Sequence, residues 1–218
     1  MIIPDAIEWI GIAVFALSGA LTAARKHMDP FGFSLLATVT GIGGGTLRDV
    51  LLAQPVFWVK DPTDLLICIG VGIAVFVLGT VYSGLEALLV RQNIFLWADA
   101  LGLSIFAVTG TNKALNAFAH PVAALVLGTL AASFGGIIRD ILSGEVPMLL
   151  HKEIYVTAAF VAALVYVICL HSAFPPTFAA GIGIGAGGGT GSLSGSAAFC
   201  SISPPTFGRR LWVLLHTP

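Results

Sequence analysis

The sequence repeats itself at an offset of 91 residues. Residues 7–52 align without a gap with residues 98–143, and 13 of the 46 aligned positions are identical. The apolar bias of the chain inflates chance matches, but it does not explain matched prolines, arginines and aspartates. The most informative identical pairs are Pro30 with Pro121, Gly44 with Gly135, Gly45 with Gly136, Arg48 with Arg139 and Asp49 with Asp140. Two related copies therefore make up most of the chain, which constrains its whole architecture.

Each copy contains three apolar runs long enough to cross a membrane. A spanning helix needs about 20 mostly apolar residues. Six such runs, separated by charges, prolines or turn residues, lie at 7–24, 31–52, 64–83, 96–115, 121–142 and 154–170. Only 10% of the residues are charged and 57% are hydrophobic, whereas soluble domains carry about 25% charged residues. We therefore expect an all-α integral membrane protein.

A seventh span is less regular in composition. Residues 174–186 are apolar, but residues 187–192 have the Gly/Ser-rich composition of a flexible linker. The sequence predicts seven transmembrane helices in three parts: a first three-helix repeat at 1–91, a second at 92–172, and a seventh helix with an atypical Gly/Ser-rich tail at 173–218.

An odd number of spans in each copy reverses the second copy in the membrane. The two repeats are then related by a pseudo-two-fold axis in the membrane plane, an arrangement found in transporters and other solute pathways. Such a fold places its pathway near the midplane, where helices of the two halves face each other. The second and fifth spans are the candidates, because they carry the most distinctive repeated residues.

Charge placement predicts the orientation of the chain. The first span is interpreted as retained, because it begins with Asp5 and Glu8 and has no basic region before it. Lysines and arginines are more frequent in cytoplasmic loops, so we expect the amino terminus outside and the carboxyl terminus in the cytoplasm. The predicted inner side holds Arg25, Lys26, Arg91, Lys152, Arg209 and Arg210, and the outer side holds Lys60 and Lys113.

Glycines interrupt the second and fifth spans at matching positions. Glycine costs about 1 kcal/mol against alanine in a helix interior, so Gly43, Gly44 and Gly45 predict a kink or break, as do Gly135 and Gly136. Backbone groups freed by a break are tolerated in a membrane only where protein or a water-filled path covers them. The alternative is that these glycines only let two helices pack closely.

Four ionisable residues follow the glycines inside these spans: Arg48, Asp49, Arg139 and Asp140. An ionisable residue within a span is costly and by default indicates function. Adjacent residues of a helix do not face each other, so we predict pairing across the repeats, Arg48 with Asp140 and Arg139 with Asp49. These pairs fit either the lining of a pathway or a structural lock between the halves.

Hydroxyl side chains on the same two spans are candidate weak ligands for a permeating cation. They are Thr38, Thr40, Thr46, Thr129 and Ser133. Such hydroxyls also bond back to the carbonyl of their own helix, and this alternative remains open. The lining holds neither a ring of carboxylates nor a cluster of bases, so we expect modest selectivity among monovalent cations.

Several classes of function are excluded by composition and motif content. The net charge is −1 and no Lys/Arg-rich run is present, so the electrostatic footprint of a nucleic-acid-binding protein is missing. Three cysteines and five scattered histidines show no metal-site spacing, and we expect no metal and no cofactor. No nucleophile, zinc-protease or nucleotide-loop motif is present, so we expect no enzyme.

Glu8 and Asp99 are interpreted as interfacial carboxylates, and Lys113 as a side chain reaching the interface.

The chain closely resembles the prokaryotic branch of the trimeric intracellular cation (TRIC) channels, whose bacterial members are also labelled putative glycine transporters. The matching features are the duplicated three-helix unit, residues 43–49, residues 135–140, and the prolines at 30 and 121. Similarity extends over residues 1–186, and the tail after 187 departs from the family pattern. The resemblance implies a homotrimer in membrane lipid, in the inner membrane of the cell. It also implies a potassium- and sodium-conducting pore in each protomer, lined by the kinked second and fifth helices.

Two functions of different class therefore stay open at this point. The leading interpretation is a passive monovalent cation channel with its gate or filter at the helix breaks. The alternative is a carrier for a small solute such as glycine, in which Arg48 or Arg139 binds a carboxylate. A third interpretation, a structural membrane protein whose glycines serve packing alone, predicts no solute flux.

Overall fold

The computed structural model describes residues 3–81, 92–117, 119–147, 153–172 and 174–201, without the side chains of 92, 93, 153–155 and 191–201. Within these ranges the regular elements are helices and no strand is present. In chain order they are α1 (Asp5–Arg25), α2 (Pro30–Leu51), α3 (Phe57–Lys60), α4 (Thr63–Val81), α5 (Gln92–Asn116), α6 (Pro121–Leu142), α7 (Glu153–His171) and α8 (Pro176–Ser201).

Each of the six predicted apolar runs overlaps one of the long helices. Among the residues described, four helices are long and apolar enough to cross a membrane: α1, α4, the part of α5 from Ile94 to Asn116, and α6. A shorter apolar stretch, Val156–His171, lies in α7. The protein is thus an all-helical membrane protein with several apolar helices. The short α3, which follows α2, was not expected from the sequence.

The Gly/Ser-rich region after residue 187 has the composition of a linker, but its backbone is helical. Helix α8 continues to Ser201. Glycines of α8 let it lie close to two neighbours. A Cβ added at Gly183 would lie 2.9 Å from the carbonyl oxygen of Ala162 in α7, and one at Gly187 would lie 2.7 Å from Oγ of Ser104 in α5. Packing contacts of this kind stabilise a helix whose composition alone is unfavourable.

Residues used to predict the orientation lie partly outside the described ranges. These are Arg91, Lys152, Arg209 and Arg210, together with the end of the predicted tail. The boundary between the two predicted repeats, at 91, lies there as well.

The starts of α2 and α6 follow the same local rule. Proline occupies the first position of each helix, where its missing N–H has no helical partner to lose. The side chain before it caps the helix: Asp29 accepts from the amide of Gly32 at 2.8 Å, and His120 Nδ1 accepts from the amide of Val122 at 3.3 Å. These caps fix where the two helices begin.

Two sets of helices pack side by side around a shared core. Helix α1 contacts α2 and α4, α5 contacts α6 and α7, and α8 lies against α7 and α5. Between the sets, α1 contacts α5 and α2 contacts α6. The rings of Phe15 and Phe106, which are equivalent in the repeat, meet there with centroids 5.0 Å apart. The crossing of α2 and α6 brings the repeated glycines of both copies together.

Candidate functional site

The α2–α6 crossing is a backbone-to-backbone contact made by glycines. A Cβ added at Gly44 would overlap the carbonyl oxygen of Ala131, and one at Gly135 would lie 2.5 Å from the carbonyl oxygen of Thr40. The two contacts are equivalent in the repeat, since both partners are displaced by 91 residues. A side chain at either glycine would force the helices apart.

The sequence predicted a kink or a break at these glycines; the break is wrong, and the kink stays a prediction. Helix α2 runs without interruption through Gly43, Gly44 and Gly45, and α6 through Gly135 and Gly136. The cost of glycine in a helix is small compared with the packing gained across a close crossing. The alternative stated from the sequence, close packing of helices, accounts for Gly44 and Gly135. Gly45 instead faces the ring of Phe57, and Gly43 faces only the end of Ile138 within 4 Å.

Most of the predicted hydroxyl ligands bond back to their own helix. Hydroxyl hydrogens of four side chains are donated to carbonyl oxygens four residues earlier, at 2.6–2.9 Å; these are Thr40, Thr46, Thr129 and Ser133. Thr46 Oγ1 also accepts from Trp58 Nε1 at 2.9 Å. Thr38 is half-buried on α2. The back-bonding alternative therefore describes four of the five hydroxyls.

Arg139 lies in a buried and densely hydrogen-bonded centre. Its Nε and Nη2 donate to Asp140 Oδ1 at 2.8 and 2.7 Å, and its Nη1 donates to both Asp99 Oδ1 and Ser18 Oγ. The Ser18 hydroxyl in turn donates to Asp99 Oδ1 at 2.8 Å. Arg139 and Asp99 are each 0% exposed. This centre ties α6 to α1 and α5, so one charged network holds helices from both copies together.

Arg48, the repeat equivalent of Arg139, has a sparser environment. Its Nε donates to Asp49 Oδ1 at 2.8 Å. Its Nη2 lies 2.7 Å from the same oxygen but outside hydrogen-bond geometry. Among the described residues, neither Nη1 nor Nη2 of Arg48 has a hydrogen-bond acceptor, although the side chain is 0% exposed. Asp49 Oδ2 accepts from the amide of Phe57 at 3.0 Å.

The predicted pairing across the repeats is wrong. Each arginine pairs with the aspartate that follows it in its own helix, Arg48 with Asp49 and Arg139 with Asp140. The geometric rule for helix neighbours applies to short side chains, whereas a guanidinium on a long stem folds back to a carboxylate one residue away. Arg139 does bridge the copies, but through Asp99 and Ser18.

An aromatic ring accompanies each arginine. Arg139 Cζ lies 4.7 Å from the ring centroid of Phe95, and Arg25 Cζ lies 4.0 Å from the same ring. On the other side, the centroid of Phe57 is 5.8 Å from Arg48 Cζ and 5.2 Å from Lys113 Nζ. Rings near guanidinium and ammonium groups stabilise the cations through their negative faces. Each centre therefore combines a buried arginine, an aromatic ring and a second cation.

A cavity of about 570 Å³ adjoins the Arg48 centre. Its polar lining residues are Arg48, Asp49, Lys60, Lys113, Gln54 and Asn116. A second cavity of about 180 Å³ shares Lys113 and Asn116 and is lined also by Asp5 and Glu8. Arg48 is thus a lining residue of the larger cavity, although its guanidinium is buried and its side chain is 0% exposed.

Several residues of the site were missed or misread from the sequence. Asp99 is fully buried rather than interfacial. Lys113 pairs with Glu8, a partner that the sequence did not indicate. The usable signal was the repeat itself, because Glu8 matches Asp99, and Ser18 matches Thr109, at the same offset as the arginines. Phe57 gave no such signal.

The described residues contain no group of three or more His, Cys, Asp or Glu side chains that would hold a metal ion.

One carboxylate at the start of α4 is held in its charged form. Asp61, in the loop before α4, accepts from the hydroxyl of Thr63 at 2.7 Å and from its amide at 3.0 Å. These hydrogen bonds hold the pKa of the Asp61 carboxyl below its usual range.

Sequence comparisons match both copies to one family. The sequence model of the family described as glycine transporter matches residues 5–80 and 96–171, two ranges displaced by the repeat offset. The UPF0126 inner membrane protein YadS of Escherichia coli K12 is 46% identical over 167 residues, 73% of this chain and 75% of that protein. A UPF0126 membrane protein of Vibrio cholerae is 40% identical over 171 residues, 75% of this chain and 67% of that protein.

Solved structures share the fold. The TRIC trimeric intracellular cation channel orthologue from Rhodobacter sphaeroides is 43% identical, with a TM-score of 0.79, covering 86% of this chain and 94% of that one. A prokaryotic TRIC channel crystallised in 0.5 M KCl is 30% identical, with a TM-score of 0.80, covering 89% and 96%. The chain therefore belongs to the family described by the glycine transporter model and is a prokaryotic member of the TRIC family.

Proposed function

We propose that the protein is a channel for monovalent cations, potassium and sodium, with a pore inside each protomer of a homotrimer. In this proposal it lies in the inner membrane with its amino terminus outside and its carboxyl terminus in the cytoplasm. Its seven spans form two inverted three-helix repeats and a seventh helix. The observation that carries the proposal is the likeness to solved TRIC cation channels over 86–90% of the chain.

The crossing of α2 and α6 is the proposed pore wall. It supports this role because the glycines bring two backbones together near the centre of the fold, with an arginine–aspartate pair following in each helix. The proposed pore and gate residues are those predicted from the sequence. They are Gly43, Gly44, Gly45, Thr46, Arg48, Asp49, Ser133, Gly135, Gly136, Arg139 and Asp140, with hydroxyls of Thr38 and Thr129 beside them.

Two cations near Arg48 determine the ion selectivity that we expect at the outer end of the proposed pore. Arg48 and Lys113 are each matched by a carboxylate, Asp49 and Glu8. A pathway with balanced charges repels monovalent cations less than one lined by unmatched bases, and it does not bind them as tightly as a carboxylate ring. We therefore expect conduction with modest selectivity between potassium and sodium.

Potassium flux into proteoliposomes containing the purified full chain tests this proposal, with uptake of labelled glycine measured on the same preparation. A channel conducts potassium down its gradient without glycine, at rates beyond the turnover of a carrier. The matched variants are Arg48→Gln, which borders the proposed pathway, and Lys26→Gln. Lys26 lies in an exposed ion pair with Glu145. Altered flux in the first and unchanged flux in the second supports the proposal; absence of potassium flux contradicts it.

A second candidate is a carrier for glycine, favoured by the description of the matched family. The unmatched Nη1 and Nη2 of Arg48 make it the better of the two arginines for a substrate carboxylate, since Arg139 is fully engaged. Saturable glycine uptake without an independent potassium leak, abolished in Arg48→Gln, would establish the carrier instead.

A further inference from the structure

Phe57 contributes an aromatic ring to the wall of the cavity of about 570 Å³. The same ring packs against α2. Leaving out the adjacent backbone of α2, the three heavy atoms nearest to a Cβ added at Gly45 all belong to this ring, the first at 2.6 Å. Gly45 is the neighbour of Gly44, which meets α6 at the crossing. The ring therefore lies between the cavity and the glycine-containing part of α2.

Two hydrogen bonds hold α3, and with it the ring, against α2. The amide of Phe57 donates to Oδ2 of Asp49 at 3.0 Å, and Nε1 of Trp58 donates to Oγ1 of Thr46 at 2.9 Å. Both acceptors belong to α2, the helix that the ring covers. Neither bond uses the ring itself, so a substitution at Phe57 keeps both bonds.

Two cations flank the ring. Its centroid lies 5.8 Å from Cζ of Arg48 and 5.2 Å from Nζ of Lys113. Asp49 and Glu8 match these charges, so the surroundings of the ring do not exclude a monovalent cation by net charge. The apolar ring itself offers no ligand to replace the water of a hydrated ion, and apolar constrictions oppose ions by losing water.

We propose that Phe57 is the constriction that limits the passage of cations from this cavity to the α2–α6 crossing. The inference rests on the proposed channel function and names the residue that sets its rate and its size limit. On the cavity side, an ion stays hydrated among polar side chains such as Gln54 and Asn116. On the α2 side, Gly45 has no side chain, so removing the ring joins the space beside Gly45 to the cavity.

Filling the space beside a glycine is also an ordinary packing role for an aromatic ring. That role alone predicts a loss of stability when the ring is truncated, with no change in which ions pass. A constriction predicts a change in conductance and in the largest cation that passes. Measuring permeation by cations of two sizes therefore separates the two roles.

Single-channel currents and reversal potentials of the purified full chain in planar bilayers test the proposal, with potassium and the wider cation tetramethylammonium as the two permeant ions. In Phe57→Ala we expect the potassium conductance to rise by about tenfold, which corresponds to a barrier lowered by about 1.4 kcal/mol. We also expect the permeability of tetramethylammonium relative to potassium to rise. Phe57→Leu keeps an apolar side chain and should show a smaller increase in both quantities.

Val59→Ala is the matched control, because Val59 belongs to the same short helix and its side chain is 67% exposed. This variant should conduct as the unmodified protein does. If Phe57→Ala does not fold, the same comparison of Phe57→Leu with Val59→Ala decides.

The failure of this inference differs from the failure of the channel. If the unmodified protein conducts potassium, an unchanged conductance and an unchanged permeability ratio in Phe57→Ala overturn the inference and leave the channel standing. A current that chloride carries equally well in Phe57→Ala also overturns it, because disrupted packing gives such a leak. Current in Phe57→Ala but not in the unmodified protein supports the inference, since the ring then closes the path. Absence of potassium current in the unmodified protein and in both Phe57 variants contradicts the channel and the inference together.

Discussion

Two arginines at equivalent positions of a repeated sequence have different surroundings. Arg139 donates to Asp140, Asp99 and Ser18 in a region from which solvent is excluded. Arg48 donates through Nε alone and borders a cavity. The cause lies one helix away: the residue that matches Asp99 is Glu8, and it pairs with Lys113 instead of Arg48.

The two arginines therefore differ in what they hold together. Arg139 forms the structural lock, because its network joins α6 to α1 and α5. Arg48 forms part of a cavity wall. A duplicated motif therefore need not have the same role in both copies. Variants of Arg48 and Arg139 distinguish the two roles.

The largest expected effect comes from removing the charge of Arg139. Arg139→Gln leaves the carboxylates of Asp99 and Asp140 buried without their cation, which destabilises the fold by about 3–5 kcal/mol. Arg48→Gln costs less, about 1–3 kcal/mol, because fewer bonds are lost. Thermal unfolding followed by gel filtration in detergent measures both. Equal losses in the two variants would contradict the distinction between lock and cavity wall.

The next effect separates two adjacent glycines. Gly44→Ala puts a methyl group into the carbonyl of Ala131 and should cost about 3 kcal/mol through overpacking. Gly43→Ala meets only the flexible end of Ile138, at 3.3 Å, and serves as the matched control. The control should be neutral or slightly stabilising, since alanine favours a helix. The same melting experiment applies, and a stable Gly44→Ala would show that the helices cross farther apart.

A smaller effect distinguishes the matched hydroxyls. Ser18→Ala removes a hydroxyl bonded to both Asp99 and Arg139, at a cost of about 1.5 kcal/mol, the value for bonds to charged groups. Thr109→Val removes a hydroxyl that donates only to the carbonyl of Ile105 and should cost about 0.5 kcal/mol. Chemical or thermal unfolding of the pair gives the comparison. A larger loss of stability in Thr109→Val than in Ser18→Ala would contradict the denser hydrogen-bond network around Ser18.

The smallest effect belongs to an exposed ion pair between the copies. Lys26 and Glu145 lie 3.0 Å apart with side chains 35% and 42% exposed. Solvent screens such a pair, so Lys26→Gln should cost less than about 1 kcal/mol. The difference between the variant and the unmodified protein should shrink as salt is raised. A loss that persists in high salt would mean that Lys26 contributes by packing.

Apolar run length and duplication in the sequence located every long helix that the structure describes. Apolar length predicted α1, α4, α5 and α6 directly, and the prolines at 30 and 121 marked the starts of α2 and α6. The prolines and the repeated glycines are visible in the sequence itself. The continuous α2 was not predicted, because the gain from close packing depends on a partner far away in the chain.

The side-chain partners of the charged residues were harder to predict. Spacing rules treat Arg48 and Asp49 as turned apart, yet the length of an arginine stem overrides that rule. Burial of Asp99 depends on where α1 and α6 meet it in space. Phe57 reaches the site because a short helix folds back toward α2. Each of these outcomes depends on three-dimensional proximity that one sequence does not encode locally.

The reciprocal contacts of the glycines have a consequence for how such a molecule diverges. Gly44 meets Ala131 while Gly135 meets Thr40, and Gly11 meets Phe106 while Gly102 meets Phe15. Self-complementary contacts of this kind are those of an isologous dimer, in which one substitution alters the interface twice. Joining both copies in a single polypeptide removes that constraint, since each position now changes once. One half is thereby free to keep a rigid joint while the other acquires an opening.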